Sequence, residues 1–236
     1  MMNKKDIVFD RVKRYIKDNI NFLYLYYKKY KKYKQNKNFK QYGLEALIKV
    51  KKIAKELNIT YWLDFGTLLG AVRDKKFIEH DLDLDIGMFL VEYTPKLQEL
   101  LEKEGFRKTE CFYIDKGQYG RKEAYNYKGV VIDFFFYTKK NNLIYGHGFS
   151  TITEGDSLIE ALKKEEGFLV KEVSFPFIGI IQIDFLGEKF NIPKNFDNYL
   201  SAHYGKNYMI KNPNWNSSMI KNEMILKDKK GEWCGK

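Results

Sequence analysis

The chain has 236 residues, 44% of them hydrophobic and 17% aromatic. That is enough apolar content for a sizeable core in one domain and too much for a disordered chain. The formal net charge is +11, but residues 1–58 hold 17 Lys+Arg against 5 Asp+Glu, so the other 178 residues net −1. Two cysteines, Cys111 and Cys234, make neither a zinc pattern nor a disulfide framework and fit a reducing compartment. The basic start lacks the apolar stretch of a signal peptide, and no apolar run is long enough to span a bilayer. The expected location is cytoplasmic, at most peripheral at the inner face of the membrane.

Residues 6–35 carry Ile7, Val8, Val12, Tyr15, Ile16, Ile20, Leu23 and Tyr27 at steps of three and four, the pattern of an amphipathic helix. Its end, YYKKYKKYKQNKNFK, interleaves Tyr with Lys. A solvated helix accounts for this, and so does a patch that sits on anionic lipid or holds an anionic substrate. No nucleic-acid module is present, so a nucleic-acid partner is not expected. A second helix is predicted over 41–57, with Leu44, Leu47, Val50, Ile53 and Leu57 inward and Asn58 at its end.

A strand follows at 60–65, a turn at Gly66, a short helix through Leu68 and Val72, and a strand over 82–89. Pro95 opens a helix over 96–104 that Gly105 stops. Strands are predicted at 106–114, 123–127, 130–137, 143–145, 169–175 and 179–185. Short helices are predicted within 154–167 and at 195–204. Helices and strands mix irregularly, which argues for an α+β fold with a mixed β-sheet.

The chemistry concentrates in DFGTLLGAVRDKKFIEHDLDLDIGM, residues 64–88. Asp81, Asp83 and Asp85 alternate with apolar residues and would share one strand face. Like charges side by side repel, and a hard cation, Mg²⁺ or Mn²⁺, is the natural counter-charge. Gly66 and Thr67 stand where a strand meets a helix, a place for close phosphate approach, although most such pairs are plain turns. Asp133 is the one charge in the apolar run Val130–Tyr137, so it needs a partner cation if buried.

Gly-Thr, then an Asp-apolar-Asp strand, then a lone Asp in an apolar strand resembles the nucleotidyltransferase superfamily. The string GTLLGAVRDKKFIEHDLDLDIGM is similar to the LicD (fukutin-like) family. That family usually has Trp where His80 stands and Asp where Leu82 stands; Leu82 lies on the opposite strand face from the aspartates. FNIPKNFDNYLSAHYGKNYMIKNPNW also resembles the family's C-terminal segment.

The resemblance implies a nucleotidyltransferase-like catalytic domain over 41–215, after a basic helical extension over 1–40 and before a C-terminal tail over 216–236. It implies transfer of a phospho-substituent, such as phosphocholine from CDP-choline, from a CDP-linked donor to a hydroxyl of a cell-surface glycan or its precursor. Capsule and lipopolysaccharide modification are the processes in view. The implied metal and catalytic residues are Asp83, Asp85 and Asp133. Gly66, Thr67, Arg73, Lys75 and Asp81 would serve the nucleotide and its phosphates. Two other readings stay open: NMP transfer to a small molecule or protein, and a non-catalytic basic protein on membrane or nucleic acid. His147 is a candidate for the acceptor side. Trp62, His203 and most of Phe112, Tyr113, Tyr119, Tyr125 and Tyr127 are expected in the core.

Overall fold

The structure is a computed structural model that describes the backbone of residues 4–212, 215 and 219–234, with side chains from residue 20 onward except 21 and 24. The expected inward face at Ile7, Val8, Val12, Tyr15 and Ile16 therefore lies outside the described side chains. The chain opens with one helix, α1 (Lys4–Glu56), in place of the two predicted. Nothing between residues 35 and 41 breaks a helix, since that stretch has no Pro or Gly. Phe39 carries the buried face across it, packing on Phe77 with ring centroids 4.9 Å apart. From there Ala46, Leu47, Val50, Ile53 and Ala54 are buried at helical spacing. By contrast, Phe22, Leu23, Tyr26, Tyr27, Tyr30 and Tyr33 are exposed.

The elements that follow are β1 (Tyr61–Leu63), α2 (Phe65–Leu69) with a π turn over Gly70–Asp74, β2 (Asp83–Phe89) and α3 (Lys96–Lys103). Then come β3 (Arg107–Ile114), β4 (Gly120–Tyr127), β5 (Val130–Lys140), β6 (Leu143–Thr151) and α4 (Leu158–Lys164). The chain closes with β7 (Phe168–Pro176), β8 (Ile180–Phe185), β9 (Glu188–Pro193), α5 (Phe196–Tyr204) and β10 (Glu223–Trp233). The fold is α+β, as expected.

The main sheet runs β1-β2-β5-β4-β3-β10-β7-β6, and β6 also pairs with the end of β5. Strands β5, β4, β3, β10, β7 and β6 therefore close into a ring. β2 and β5 are parallel; the other pairs are antiparallel. β8 and β9 form a separate hairpin. One face of the sheet buries Leu84, Ile86, Met88, Ile132, Phe134 and Phe136. These belong to the same apolar cluster as the inner residues of α1 and Leu97 and Leu101 of α3. Each such side chain contributes about 1.5–3 kcal/mol when fully buried. On β2, Gly87 is needed because Trp62 lies flat against its backbone, where a Cβ would collide with the indole.

Two expectations are corrected. β6 extends well past the predicted 143–145, because its partner β7 pairs with it from Leu143 to Thr151. Within the expected C-terminal tail, Glu223–Trp233 is strand β10, which lies between β3 and β7. That pairing also sets Trp233 opposite Phe112, which brings Cys234 beside Cys111, and the two sulfurs are bonded across a sequence separation of 123. Cysteine usage therefore gives no support to a reducing compartment. No helix among the described residues is long and apolar enough to cross a membrane.

Candidate active site

Parallel pairing of β2 and β5 sets Asp85 directly beside Asp133, with Asp83 beside Val131. All three carboxylates thus share one sheet face, as side-chain alternation requires. Asp81 is just outside the strand, in a turn where its N–H donates to Ile78 O at 3.1 Å. Its carboxylate still reaches the group: a Cβ on Gly66 would strike it.

The turn before α2 holds this cluster from the other side. Gly66 N donates to Asp85 Oδ2 at 3.1 Å, and Thr67 Oγ1 accepts from Asp85 N at 2.9 Å. Asp64 N donates to Asp85 O at 3.0 Å. The N–H of Gly66, expected to meet phosphate, is thus used within the chain, and Thr67 is buried. Phe65 sits at φ +36°, in the left-handed range that a bulky residue rarely adopts, at about 1–3 kcal/mol. Its ring is wedged against Phe135 at 4.7 Å and His203 at 4.9 Å.

Below the turn is a residue that sequence reasoning did not single out. Asp64 is fully buried and accepts from Phe65 N at 2.8 Å, Tyr137 Oη at 2.7 Å and Tyr199 Oη at 2.8 Å. Burial pushes its pKa up to about 6, against the pull of the two tyrosine hydrogen bonds. The signal was in the sequence: Asp64 is the one charge in YWLDF, the same argument that found Asp133.

The electrostatics record crowded negative charge. Burial first, then Asp83, pushes Asp81 up to about 7. Burial together with Asp83, Asp133 and Asp81 holds Asp85 well above the usual carboxylate range. Burial also raises Asp133, opposed by Lys122, whose Nζ lies 3.0 Å from Asp133 Oδ2. Lys122 is the partner cation that Asp133 required, and it too was missed. Its own burial favours the neutral amine, but the charge of Asp133 and their hydrogen bond outweigh that and raise its pKa.

Among the described residues no three His, Cys, Asp or Glu side chains converge closely enough to hold an ion alone. Mg²⁺ is ordinarily held by one or two carboxylates plus substrate phosphates. Asp83 and Asp85 fit that arrangement, and their unrelieved repulsion is what a cation would relieve. Asp133, paired with Lys122, fits a ligand role less well.

Arg73 turns its fork onto Asp74, at 3.0 and 3.2 Å, and Lys211 joins that carboxylate at 3.5 Å. Lys75 is exposed at φ +54°, at the end of the π turn. His80 is exposed. Two side chains of α1 grip the acidic loop: Asn36 Nδ2 donates to Glu79 O at 3.0 Å and Gln35 Nε2 to Leu82 O at 3.4 Å. Trp62 and His203 are buried, as expected. Phe112, Tyr125 and Tyr127 are buried too, while Tyr119 is exposed. His147 is buried against Tyr119, 5.2 Å between rings, and burial pushes its pKa down to about 4.

Comparison with protein-family models matches residues 58–195 to the LicD/FKTN/FKRP nucleotidyltransferase domain. Among curated proteins, the mouse ribitol-5-phosphate transferase FKTN is 26% identical over 179 residues, 74% of this chain and 35% of that protein. The human protein of the same name is 24% identical over 174 residues, 72% of this chain and 34% of that protein. An uncharacterized protein of Rickettsia prowazekii is 38% identical over 90 residues, 37% of this chain and 30% of that protein. The chain spans about a third of the length of these relatives.

Proposed function

This chain belongs to the LicD family, and on that premise we propose that it moves a phospho-substituent from a CDP-linked donor to a glycan hydroxyl. The observation that supports this most directly is the register of Asp85 beside Asp133, with Asp83 on the same face. Asp83 and Asp85 would hold Mg²⁺, or Mn²⁺, against the donor diphosphate. Bound there, the ion would supply charge neutralisation and polarise the phosphoryl oxygens. Gly66 and Thr67 serve the donor by fixing where Asp85 points, with the Asp81 carboxylate against Gly66. Arg73 borders the turn with its fork held by Asp74, and Lys75 is the exposed cation that would meet the phosphates.

Asp133 is the proton acceptor in this reading. The acceptor hydroxyl oxygen bonds to the head-group phosphorus, its proton passes to the Asp133 carboxylate, and the bridging P–O bond breaks to release CMP. Lys122 favours the ionised form of Asp133 against the burial that raises its pKa. The head group can be phosphocholine or a polyol phosphate; the ribitol-5-phosphate named for the mouse relative makes CDP-ribitol a donor to test beside CDP-choline.

The test is a thermal-shift screen of CDP-choline, CDP-ribitol, CDP, CMP and UDP-sugars, with and without Mg²⁺, on wild type and Asp83→Ala. Stabilisation that needs both metal and Asp83, followed by CMP release on turnover, supports the reading. Release of pyrophosphate from a nucleoside triphosphate would instead favour NMP transfer. No shift with any nucleotide removes the transferase reading.

The exposed stretch of α1 fits the membrane expectation for residues 1–40. Leu23, Tyr26, Tyr27, Tyr30 and Tyr33 recur at three- and four-residue steps and are exposed, next to Lys29, Lys31 and Lys32. An aromatic stripe flanked by lysines suits the headgroup region of an anionic bilayer. Because Gln35 and Asn36 bond the acidic loop, docking there would hold the site close to a lipid-linked acceptor.

A further inference from the structure

β2 and β5 run parallel, so the two strands that carry the acids begin at the same end of the sheet. Between residues 35 and 45, α1 touches what precedes each of them. Ahead of β2, Asn36 Nδ2 donates to Glu79 O at 3.0 Å and Gln35 Nε2 to Leu82 O at 3.4 Å, while Phe39 packs on Phe77. Ahead of β5, the Asn38 amide lies against Gly129, where a Cβ would strike it. Glu45 accepts there from Tyr127 Oη at 2.6 Å and from Lys128 Nζ at 3.0 and 3.2 Å. The family match covers residues 58–195, so this grip comes from outside the matched domain.

Asp83 and Asp85 differ in how they are held. Asp85 is fixed from the turn before α2, by Gly66 N on its carboxylate and by Thr67 Oγ1 on its own N–H. The Asp83 carboxylate is hydrogen-bonded to the Asp81 side chain and, among the described residues, to no N–H of the chain. Asp83 is the first residue of β2 and follows Leu82, whose carbonyl Gln35 holds. Its place is therefore set by the acidic loop, and α1 holds that loop. We propose that Asn36, with Gln35 beside it, is a positioning residue for the metal site: it places Asp83 against the ion that Asp83 shares with Asp85. The inference rests on the transferase reading above. Mg²⁺ demands near-ideal octahedral geometry, so a displaced carboxylate weakens its binding even where the fold is intact. Groups that orient a ligand from behind are worth about 10–100-fold in metal affinity.

The test is a Mg²⁺ titration of the full chain with CDP present, followed by thermal shift. The proteins are wild type, Asn36→Leu, Asn36→Gln and the double variant Gln35→Leu/Asn36→Leu. The half-saturating Mg²⁺ concentration should rise about tenfold in Asn36→Leu and further in the double variant. Asn36→Gln keeps the amide donor and should stay near wild type. Without Mg²⁺ all four should melt close together, because the Asn36 bond is exposed. Amide exchange in the metal-free chain reads the loop with no ligand: the Asp81 N–H, bonded to Ile78 O, should exchange faster in the Leu variants. If Asn36→Leu does not fold, Asn36→Asp keeps the shape, loses the donor and decides the matter. An unchanged Mg²⁺ requirement in the double variant overturns the proposal. So does a lower metal-free melting temperature with an unchanged Mg²⁺ requirement, since the grip would then serve stability alone. A wild type that shows no Mg²⁺-dependent shift removes the transferase reading itself, and this differs from a wild-type shift that the variants share.

Discussion

Thr67 and Asp85 are locked together through the backbone: the Thr67 hydroxyl oxygen accepts the Asp85 N–H at 2.9 Å, 18 residues away in the chain. Thr67→Val keeps the shape and removes the acceptor, leaving a buried N–H unpaired. The expected loss is about 1–3 kcal/mol of stability, read as a lower urea midpoint. Thr67→Ser should recover most of it. Gly66→Ala acts on the same clamp from its other end, since the new methyl displaces Asp81; turnover should fall further than stability does.

Asp64 makes stability depend on pH with a definite sign. Its folded pKa, about 6, is above the ordinary 3.8, so the native state binds the proton more tightly than the unfolded chain. Its contribution is fully present below pH 3.8 and is lost as pH rises through about 6. Asp81, raised to about 7, acts in the same direction. Urea unfolding of wild type and Asp64→Asn between pH 4 and 8 checks this: the decline should be shallower in the variant. Tyr199→Phe removes one hydrogen bond to the ionised carboxylate and should cost about 1.5–3 kcal/mol above pH 6.

Lys122 sets the acid limb of activity in the proposed reaction. Lys122→Met removes the nearby positive charge from Asp133, so the carboxyl holds its proton to higher pH. The acid limb of kcat/KM should move upward by about one unit or more, while Lys122→Arg should keep it near its wild-type position. An unmoved limb in Lys122→Met would take the proton-acceptor role away from Asp133.

The Cys111–Cys234 bond closes most of the chain after β3 into one loop and ties β10 to it. Cys234→Ser should lower stability by roughly 2–4 kcal/mol. Dithiothreitol should reproduce the loss in wild type and leave the variant unchanged. Equal melting temperatures with and without reductant would show the bond adds nothing.

Membrane docking through α1 predicts co-flotation with vesicles containing phosphatidylglycerol and little with pure phosphatidylcholine. Replacing Tyr26, Tyr30 and Tyr33 together by Ser should abolish it without changing the melting temperature, because these side chains are exposed. If instead the protein is a dimer by light scattering and the triple variant a monomer, the stripe covers a second copy.

Local pattern made the elements around the acidic motif legible in the sequence. Alternation in LDLDIGM defines β2 and its acid face, Pro95 and Gly105 bracket α3, and a lone Asp in VVIDFFFY marks Asp133 as a candidate site residue. Family likeness made the fold class legible as well. Side-chain periodicity is a property of a few neighbouring residues, so it survives reading without a structure. What only the tertiary structure decided are pairings between distant segments. Tyr199 reaches Asp64 across 135 residues, β10 enters between β3 and β7, and Cys234 meets Cys111. Lys122 finds Asp133 because β4 and β5 pair in one register and not in the next. Register between strands is set by the packing of the whole sheet, and a shift of one residue would turn Lys122 to the opposite face. No stretch of local sequence contains that information.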